Sequence, residues 1–279
     1  MRWFALFLIV ACGGVVWAQE KPGARELLLE AEQAEAQDRN AEALTLVERY
    51  IELAPGEAKG YFLRAVIFDS MKQPKKAIVD YDKAIELDPK RDAAYQRRGV
   101  DRFMTGRVKE SIADFDKYLE SHPDEKPQHW QRGIALYYAG RYEDGAKQFE
   151  LHRTVNPEDV ENAAWHFMCV ARWKNVEAAR AGLIPIKEDS RVPMMKVHEM
   201  FSAKASVEDV IAEAKKGEPP AGQLNRQLFY AQLYAGLYCE AIGKNEEAKK
   251  HLEEAVKYEV GDYMYGVAKV HLKLLGKDK

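Results

Sequence analysis

Tyr50-Ile51-Glu52-Leu53-Ala54-Pro55 decides the fold, because its closing proline recurs at a fixed interval of 34 residues. The interval carries through Pro55, Pro89, Pro123 and Pro157. The residues before each proline are typical of a helix end, since proline lacks an N–H and disfavours helix in the residue before it. A constant period of this size predicts a solenoid of repeated helical units.

Three further positions recur with the same period. Counted from Ala24, Ala58, Asp92 and Lys126, the eighth and twentieth positions of each unit are small and the twenty-fourth is apolar. The eighth positions are Ala31, Ala65, Gly99 and Gly133; the twentieth are Ala43, Ala77, Ser111 and Gly145; the twenty-fourth are Val47, Tyr81, Phe115 and Phe149. Small residues at two fixed positions let the two helices of one unit cross closely.

This pattern resembles tetratricopeptide repeats, in which each unit is a helix–turn–helix. We therefore predict an all-α fold, a tetratricopeptide-repeat helical solenoid with an irregular short-helix insert and a C-terminal capping helix. The regularity weakens after Pro157, but Gly236 and Leu252 return to the eighth and twenty-fourth positions. The predicted units are 24–159, four repeats; 160–222, a degenerate repeat and the insert; and 223–276, a C-terminal repeat and the capping helix.

Composition excludes several classes of protein. The 279 residues are 47% hydrophobic and 31% charged, which excludes bulk disorder. A net charge of −3 provides no basic field for nucleic acid. Three cysteines are too few for a disulfide-built scaffold. Cys169 and Cys239 either pair in an oxidising compartment or stay buried as free thiols.

The sequence carries no catalytic motif that we can identify. It has no glycine-rich phosphate loop, and the pair His198-Glu199 lacks the second histidine of a zinc-protease helix. We therefore expect a protein that is not an enzyme and that has no cofactor and no metal site.

The N-terminal segment predicts export. Met1-Arg2 precedes an apolar run from Trp3 to Ala18 that is shorter than the roughly 20 residues of a membrane-spanning helix. Ordinary cleavage after Ala18 makes 1–18 the signal peptide. Alternatively, Ile9-Val10-Ala11-Cys12 resembles a lipobox, which makes 1–11 the signal and Cys12 a lipidated first residue. Either reading gives an exported protein, with membrane contact only through a lipid anchor.

A binding surface is predicted on the concave side of the solenoid, which the first helices of successive repeats line. Positions two, five, nine, twelve and thirteen of each repeat point inwards and give an aromatic and aliphatic lining with few charges. The candidate partner-binding residues are Phe62, Val66, Asp69, Gln96, Arg97, Val100, Phe103, Trp130, Ile134, Tyr137 and Arg172. Such a lining suits an apolar helix or extended segment of a protein partner.

Three segments resemble a narrower family, the NlpI-type bacterial lipoproteins. They are Gln131–Arg141, the run Val197-His198-Glu199-Met200-Phe201 with Ser206, and the C-terminal stretch from Phe229 to Gly276. The resemblance implies an outer-membrane lipoprotein facing the periplasm. It also implies a homodimeric adaptor that presents murein hydrolases to a tail-specific protease. The alternative is a self-associating structural repeat protein of the envelope without a protease client.

Overall fold

The computed structural model describes residues 23–275. Both predicted signal segments with Cys12, and Gly276 of the C-terminal unit, lie outside these residues. Between 23 and 275 the chain forms fifteen α-helices and a short 3-10 helix, with no strand. The predicted fold class is confirmed, including the short-helix insert and the final helix.

Four antiparallel helix pairs make up the N-terminal half. Their bounds are α1 (Ala24–Ala36) with α2 (Asn40–Leu53), α3 (Ala58–Ser70) with α4 (Pro74–Leu87), α5 (Asp92–Met104) with α6 (Val108–Ser121), and α7 (Trp130–Tyr138) with α8 (Tyr142–His152). Helices α2, α4 and α6 each end two residues before the periodic proline, as predicted. The fourth pair differs, because α8 ends at His152, well before Pro157. Its first helix is short because the 3-10 helix Pro123–Gln128, with Pro127 inside it, takes the place of the first turn.

The C-terminal half is less regular. Its helices are α9 (Val160–Trp173), α10 (Val176–Ala181), α11 (Met194–Phe201), α12 (Val207–Lys215), α13 (Ala221–Ala241), α14 (Asn245–Ala255) and α15 (Tyr263–Leu275). Helices α11 and α12 form the insert and pack between α9 and α13 through Phe201, whose ring meets Phe167 and Tyr238. Ser206 and Asp209 cap α12 reciprocally. No helix among the described residues is long and apolar enough to cross a membrane.

In each repeat, the small residue at the eighth position makes room for the large apolar side chain at the twenty-fourth. A Cβ atom placed on Gly99 would lie 2.6 Å from the ring of Phe115, and one on Gly133 would lie 2.7 Å from Phe149. Gly236 stands in the same relation to Leu252, with a Cβ distance of 2.6 Å. The close helix crossing predicted from the sequence is therefore confirmed in the C-terminal unit as well.

Replacing Gly99 with alanine is expected to cost about 1–3 kcal/mol of unfolding free energy, because the added methyl overlaps the buried Phe115 ring. Urea denaturation followed by circular dichroism measures the change. Gly56→Ala is the matched control: nothing lies within 4 Å of its Cβ position, so the change should stay within about 0.5 kcal/mol. Equal effects at the two glycines would contradict the packing described here.

A ladder of ion pairs joins the repeats with the same 34-residue period. Arg98 on α5 binds Asp114 of its own repeat through Nη2 at 2.6 Å and Asp82 of the preceding repeat through Nη1 at 2.6 Å. Arg132 repeats the pattern, with Asp116 of the preceding repeat at 2.6 Å and Gln148 of its own at 3.2 Å. The ladder begins at Arg64 with Asp80 and ends at His166 with Glu150. Arg98 and Arg132 thus each join their own repeat to the preceding one.

Candidate functional site

The concave face divides into two parts. The first part, which we call the open groove, lies between α3 and α5. Its side chains are all at least partly accessible to solvent: Phe62, Val66, Asp69, Gln96, Arg97 and Val100. All six lie on α3 or α5, and Asp69 and Arg97 are close enough for their charges to interact.

The second part, the covered groove, is occupied by the chain's own C-terminal helix. Tyr263 at the start of α15 stacks on Phe103 with ring centroids 5.9 Å apart, and it meets Trp130 edge to face at 4.9 Å. Further along, His271 accepts or donates a hydrogen bond with Tyr138 Oη at 2.7 Å. The glycine at 266 lets the helix approach Met104 closely. Helix α15 therefore lies across α5 and α7 instead of capping only the last repeat.

Burial corrects part of the predicted surface, and α15 is only one of its causes, since Tyr137 packs against Tyr142 and Trp165. Phe103, Ile134 and Tyr137 are buried, so they do not present side chains to a partner in this conformation. Trp130 remains partly accessible at the edge of Tyr263. Arg172 is exposed, but its guanidinium lies over the ring of Tyr142 and 3.8 Å from a carboxylate oxygen of Glu240.

Two carboxyl groups, the partly accessible Asp69 and the buried Asp101, lie at the floor of the open groove. Asp69 accepts a hydrogen bond from Tyr81 Oη at 2.6 Å, and its carboxyl faces that of Asp101. Burial, together with the Asp69 carboxylate, raises the pKa of Asp101 to about 9, although the nearby Arg97 opposes the shift. At neutral pH Asp101 therefore holds a proton, which it donates to Asp69. The sequence analysis included Asp69 among the groove residues, assigned Tyr81 to helix packing alone and did not name Asp101.

This pair gives the fold a pH dependence of defined sign. The pKa of Asp101 is raised above its ordinary value of 3.8, so its contribution to stability is complete below about pH 4 and is lost as the pH rises through about 9. Replacing Asp101 with asparagine, which stays neutral, is expected to raise the melting temperature at pH 9 by a few degrees and to flatten its pH dependence. Asp124→Asn, at an exposed carboxyl, is the control and should leave the profile unchanged. A lower melting temperature for D101N at pH 9 would contradict this assignment.

Gln96 is held in place from the neighbouring repeat. Its Oε1 lies 2.7 Å from Nε2 of His129, and burial lowers the pKa of His129 to about 4. The imidazole is therefore neutral at pH 7 and donates this hydrogen bond. The amide of Gln96 is in this way oriented at the groove edge.

The described residues offer no group of three or more histidine, cysteine, aspartate or glutamate side chains that could hold a metal ion. Cys169 and Cys239 are both buried free thiols. Cys169 lies beside Gly145, where a Cβ atom would come within 2.8 Å of its Sγ. The sequence left open a disulfide between these two cysteines or two buried free thiols, and the structure has the free thiols.

Comparison with known proteins places the fold among helical-repeat proteins. Residues 58–91 match the family model of the tetratricopeptide repeat. A search of curated proteins finds no match to this sequence. The fold is similar to that of a tetratricopeptide repeat protein from Parabacteroides merdae, with a TM-score of 0.58, 16% identity and coverage of 91% of this chain and 98% of that one.

The fold is also similar to MamA from Desulfovibrio magneticus RS-1, with a TM-score of 0.54, 13% identity and coverage of 58% of this chain and 92% of that one. At these identities the likeness concerns architecture alone. Together with the matched repeat and the 34-residue periodicity of packing and ion pairs, it leads to one conclusion. This chain is a protein with the tetratricopeptide-repeat fold.

Proposed function

We propose that this protein is a non-catalytic adaptor that binds a segment of a partner protein in the open groove. The fold is that of a protein-binding scaffold. The observation that carries the proposal is the partial exposure of Phe62, Val66 and Val100, three apolar side chains at the predicted groove positions of α3 and α5.

The chemistry of the groove favours an apolar segment. Phe62 is already fixed by the edge of Tyr81 at 5.8 Å and by the guanidinium of Arg91 at 5.3 Å from its ring. A fixed aromatic side chain provides contact area at low cost in conformational entropy. Because Asp101 is protonated at neutral pH, the groove floor carries one negative charge beside Arg97 rather than two. A short segment with apolar anchors therefore fits better than a strongly charged one.

The test compares valines inside and outside the groove. Val66→Ser and Val100→Ser place a hydroxyl on the open groove, whereas Val79→Ser changes a valine on α4 that is 65% exposed. The chain from Gln19 onward serves as bait for solubilised cell envelope, with quantitative mass spectrometry of what is captured. We expect the groove variants to lose the partner and the Val79 variant to retain it. Retention by all three baits would contradict the open groove as the binding surface.

We propose further that the adaptor works in the bacterial cell envelope and serves a tail-specific protease or murein hydrolases. The export-type sequence of residues 1–18 and the resemblance of Gln131–Arg141 and Phe229–Gly276 to NlpI-type lipoproteins support this role. Radiolabelled palmitate supplied to a Gram-negative host tests anchoring at Cys12. Label that disappears in Cys12→Ser supports the lipoprotein, and a mature N-terminus at Gln19 supports ordinary cleavage.

The same capture experiment distinguishes the adaptor from a self-associating structural protein. Enrichment of a protease or hydrolase that depends on Val66 and Val100 supports the adaptor. Recovery of the bait alone, with a dimer in analytical ultracentrifugation that the same two variants dissociate, supports self-association.

A further inference from the structure

The covered groove holds α15 between two walls, of which α5 and α7 form the first. Tyr263 contacts this wall through the rings of Phe103 and Trp130. Three residues later, a Cβ atom on Gly266 would lie 2.7 Å from Cε of Met104 and closer still to its Sδ, so a larger residue there forces the Met104 side chain aside. The first wall therefore accepts an aromatic ring followed, one helical turn later, by a residue without a side chain.

Helix α13 forms the second wall of the covered groove. Tyr265 meets the ring of Phe229 there, with centroids 6.0 Å apart. The buried His271 lies between the two walls, since Nδ1 is 2.7 Å from Tyr138 Oη on α7 and Nε2 is 2.9 Å from a carboxylate oxygen of Glu240 on α13. A helix that lies between two walls in this way has the geometry in which many proteins bind the helix of a partner.

The first turn of α15 fits the groove incompletely. Oη of Tyr263 is shielded from solvent and has no hydrogen-bond partner within residues 23–275, which costs free energy. A cavity of about 320 Å³ adjoins the same turn, and its lining includes Trp130, Tyr263 and Met264. Protein interiors are normally close-packed, so both features mark a contact that another side chain could improve. Phenylalanine at the position of Tyr263 keeps the ring and removes the unpaired hydroxyl.

The connection to α14 allows α15 to leave the groove as a unit. Helix α14 ends at Ala255 and α15 begins at Tyr263, and the residues between them belong to no helix. A tether of this length holds α15 beside the groove at an effective concentration on the order of millimolar. A helix from another protein therefore replaces α15 only if it fits the groove better.

We propose that the covered groove is a second partner-binding surface, which α15 closes in the free protein. Its partner is an amphipathic helix with phenylalanine at the position of Tyr263 and a glycine three residues later, and this helix displaces α15. The inference extends the proposed adaptor function from the open groove to a separate surface, and its test uses neither the open groove nor a cellular partner.

A synthetic peptide with the sequence Asp262–Leu275 and the change Tyr263→Phe tests the proposal. It carries fluorescein at its N-terminus, and fluorescence anisotropy measures its binding to the chain from Gln19 onward. Gly266→Leu in the chain loosens its own α15, because leucine meets Met104, and frees the groove for the peptide. We expect this variant to bind the peptide at least tenfold more tightly than the parent does. Gly261→Leu, where nothing lies within 4 Å of the Cβ position, is the matched control and should bind as the parent does.

Changes in the peptide show whether it occupies the place of α15. The peptide with Tyr263 retained should bind the Gly266→Leu chain at least threefold more weakly, because it buries the unpaired hydroxyl again. The peptide with Gly266→Leu should bind at least tenfold more weakly. Val66→Ser added to the Gly266→Leu chain alters only the open groove and should leave the affinity unchanged.

A reversible lock gives a test that does not require the Gly266→Leu chain to fold. A Cβ atom on residue 266 would lie 3.8 Å from Cγ of Met104, so Met104→Cys with Gly266→Cys places two thiols within reach of a disulfide. The oxidised chain, with α15 fixed in the groove, should bind the peptide at least tenfold more weakly than the reduced chain.

Several results would overturn the proposal. They are equal affinities for the Gly266→Leu and Gly261→Leu chains, an oxidised chain that binds as well as the reduced one, and no gain from phenylalanine in the peptide. Loss of peptide binding in the Val66→Ser chain would place the peptide in the open groove instead. Peptide binding that follows the expected pattern, together with partner capture that does not depend on Val66 or Val100, would contradict the proposed role of the open groove and leave this inference in place.

Discussion

Replacing Asp114 with alanine is expected to lower the free energy of unfolding by about 3–5 kcal/mol. Asp114 is almost fully buried and accepts hydrogen bonds from Arg98 Nε and Nη2 and from Arg102 Nη1, at 3.0, 2.6 and 2.7 Å. Removing it leaves the buried guanidinium of Arg98 without the partner from its own repeat. A charge that is buried without compensation costs more than the pair contributes when it is intact. Urea denaturation measures the loss through the transition midpoint.

The control for this prediction is another aspartate that binds the same two arginines. Asp82 contacts Arg98 at 2.6 Å and Arg102 at 3.2 Å, but its side chain is 47% exposed. Solvent screens such a pair, so Asp82→Ala should cost about 1 kcal/mol or less. Comparable losses for Asp82→Ala and Asp114→Ala would show that burial does not decide the strength of the ladder.

The ladder illustrates a signal that the sequence contained and that our sequence analysis missed. Arg64, Arg98 and Arg132 follow the 34-residue period, and so do the aspartates at 80 and 114. The sequence analysis used only the apolar and small residues, because those positions report helix packing directly. Arginines and aspartates that recur with the same period predict ion pairs in the same way that periodic apolar residues predict packing. The helix pairs, the crossing of Gly99 with Phe115 and the presence of a short-helix insert and a final helix could all be predicted from local patterns.

The course of α15 could not be predicted in that way. Its contacts join residues far apart in sequence, such as Tyr138 and His271, which are separated by 133 positions. Periodicity specifies how each repeat packs on the next one. The irregular segment 160–222, which has no such period, determines where the final helix is placed. The predicted groove therefore said nothing about which of its positions the chain itself covers.

Replacing Phe103 with alanine tests the covered groove and is expected to cost about 3–5 kcal/mol of unfolding free energy. Phe103 is fully buried between the rings of Tyr138, at 5.4 Å, and Tyr263, at 5.9 Å, so its removal leaves a cavity beneath α15. Phe62→Ala is the matched change in the open groove, where partial exposure limits the expected loss to about 1 kcal/mol. Thermal unfolding compares the two variants, and hydrogen exchange of residues 263–275 shows whether α15 loosens in the first alone. A Phe103 variant that melts like the parent and only loses partner binding would instead place Phe103 on an accessible surface. We expect instead that Phe103 stabilises the fold because α15 covers it. No helix within residues 23–275 covers Phe62 in this way, so Phe62 stays accessible to a partner.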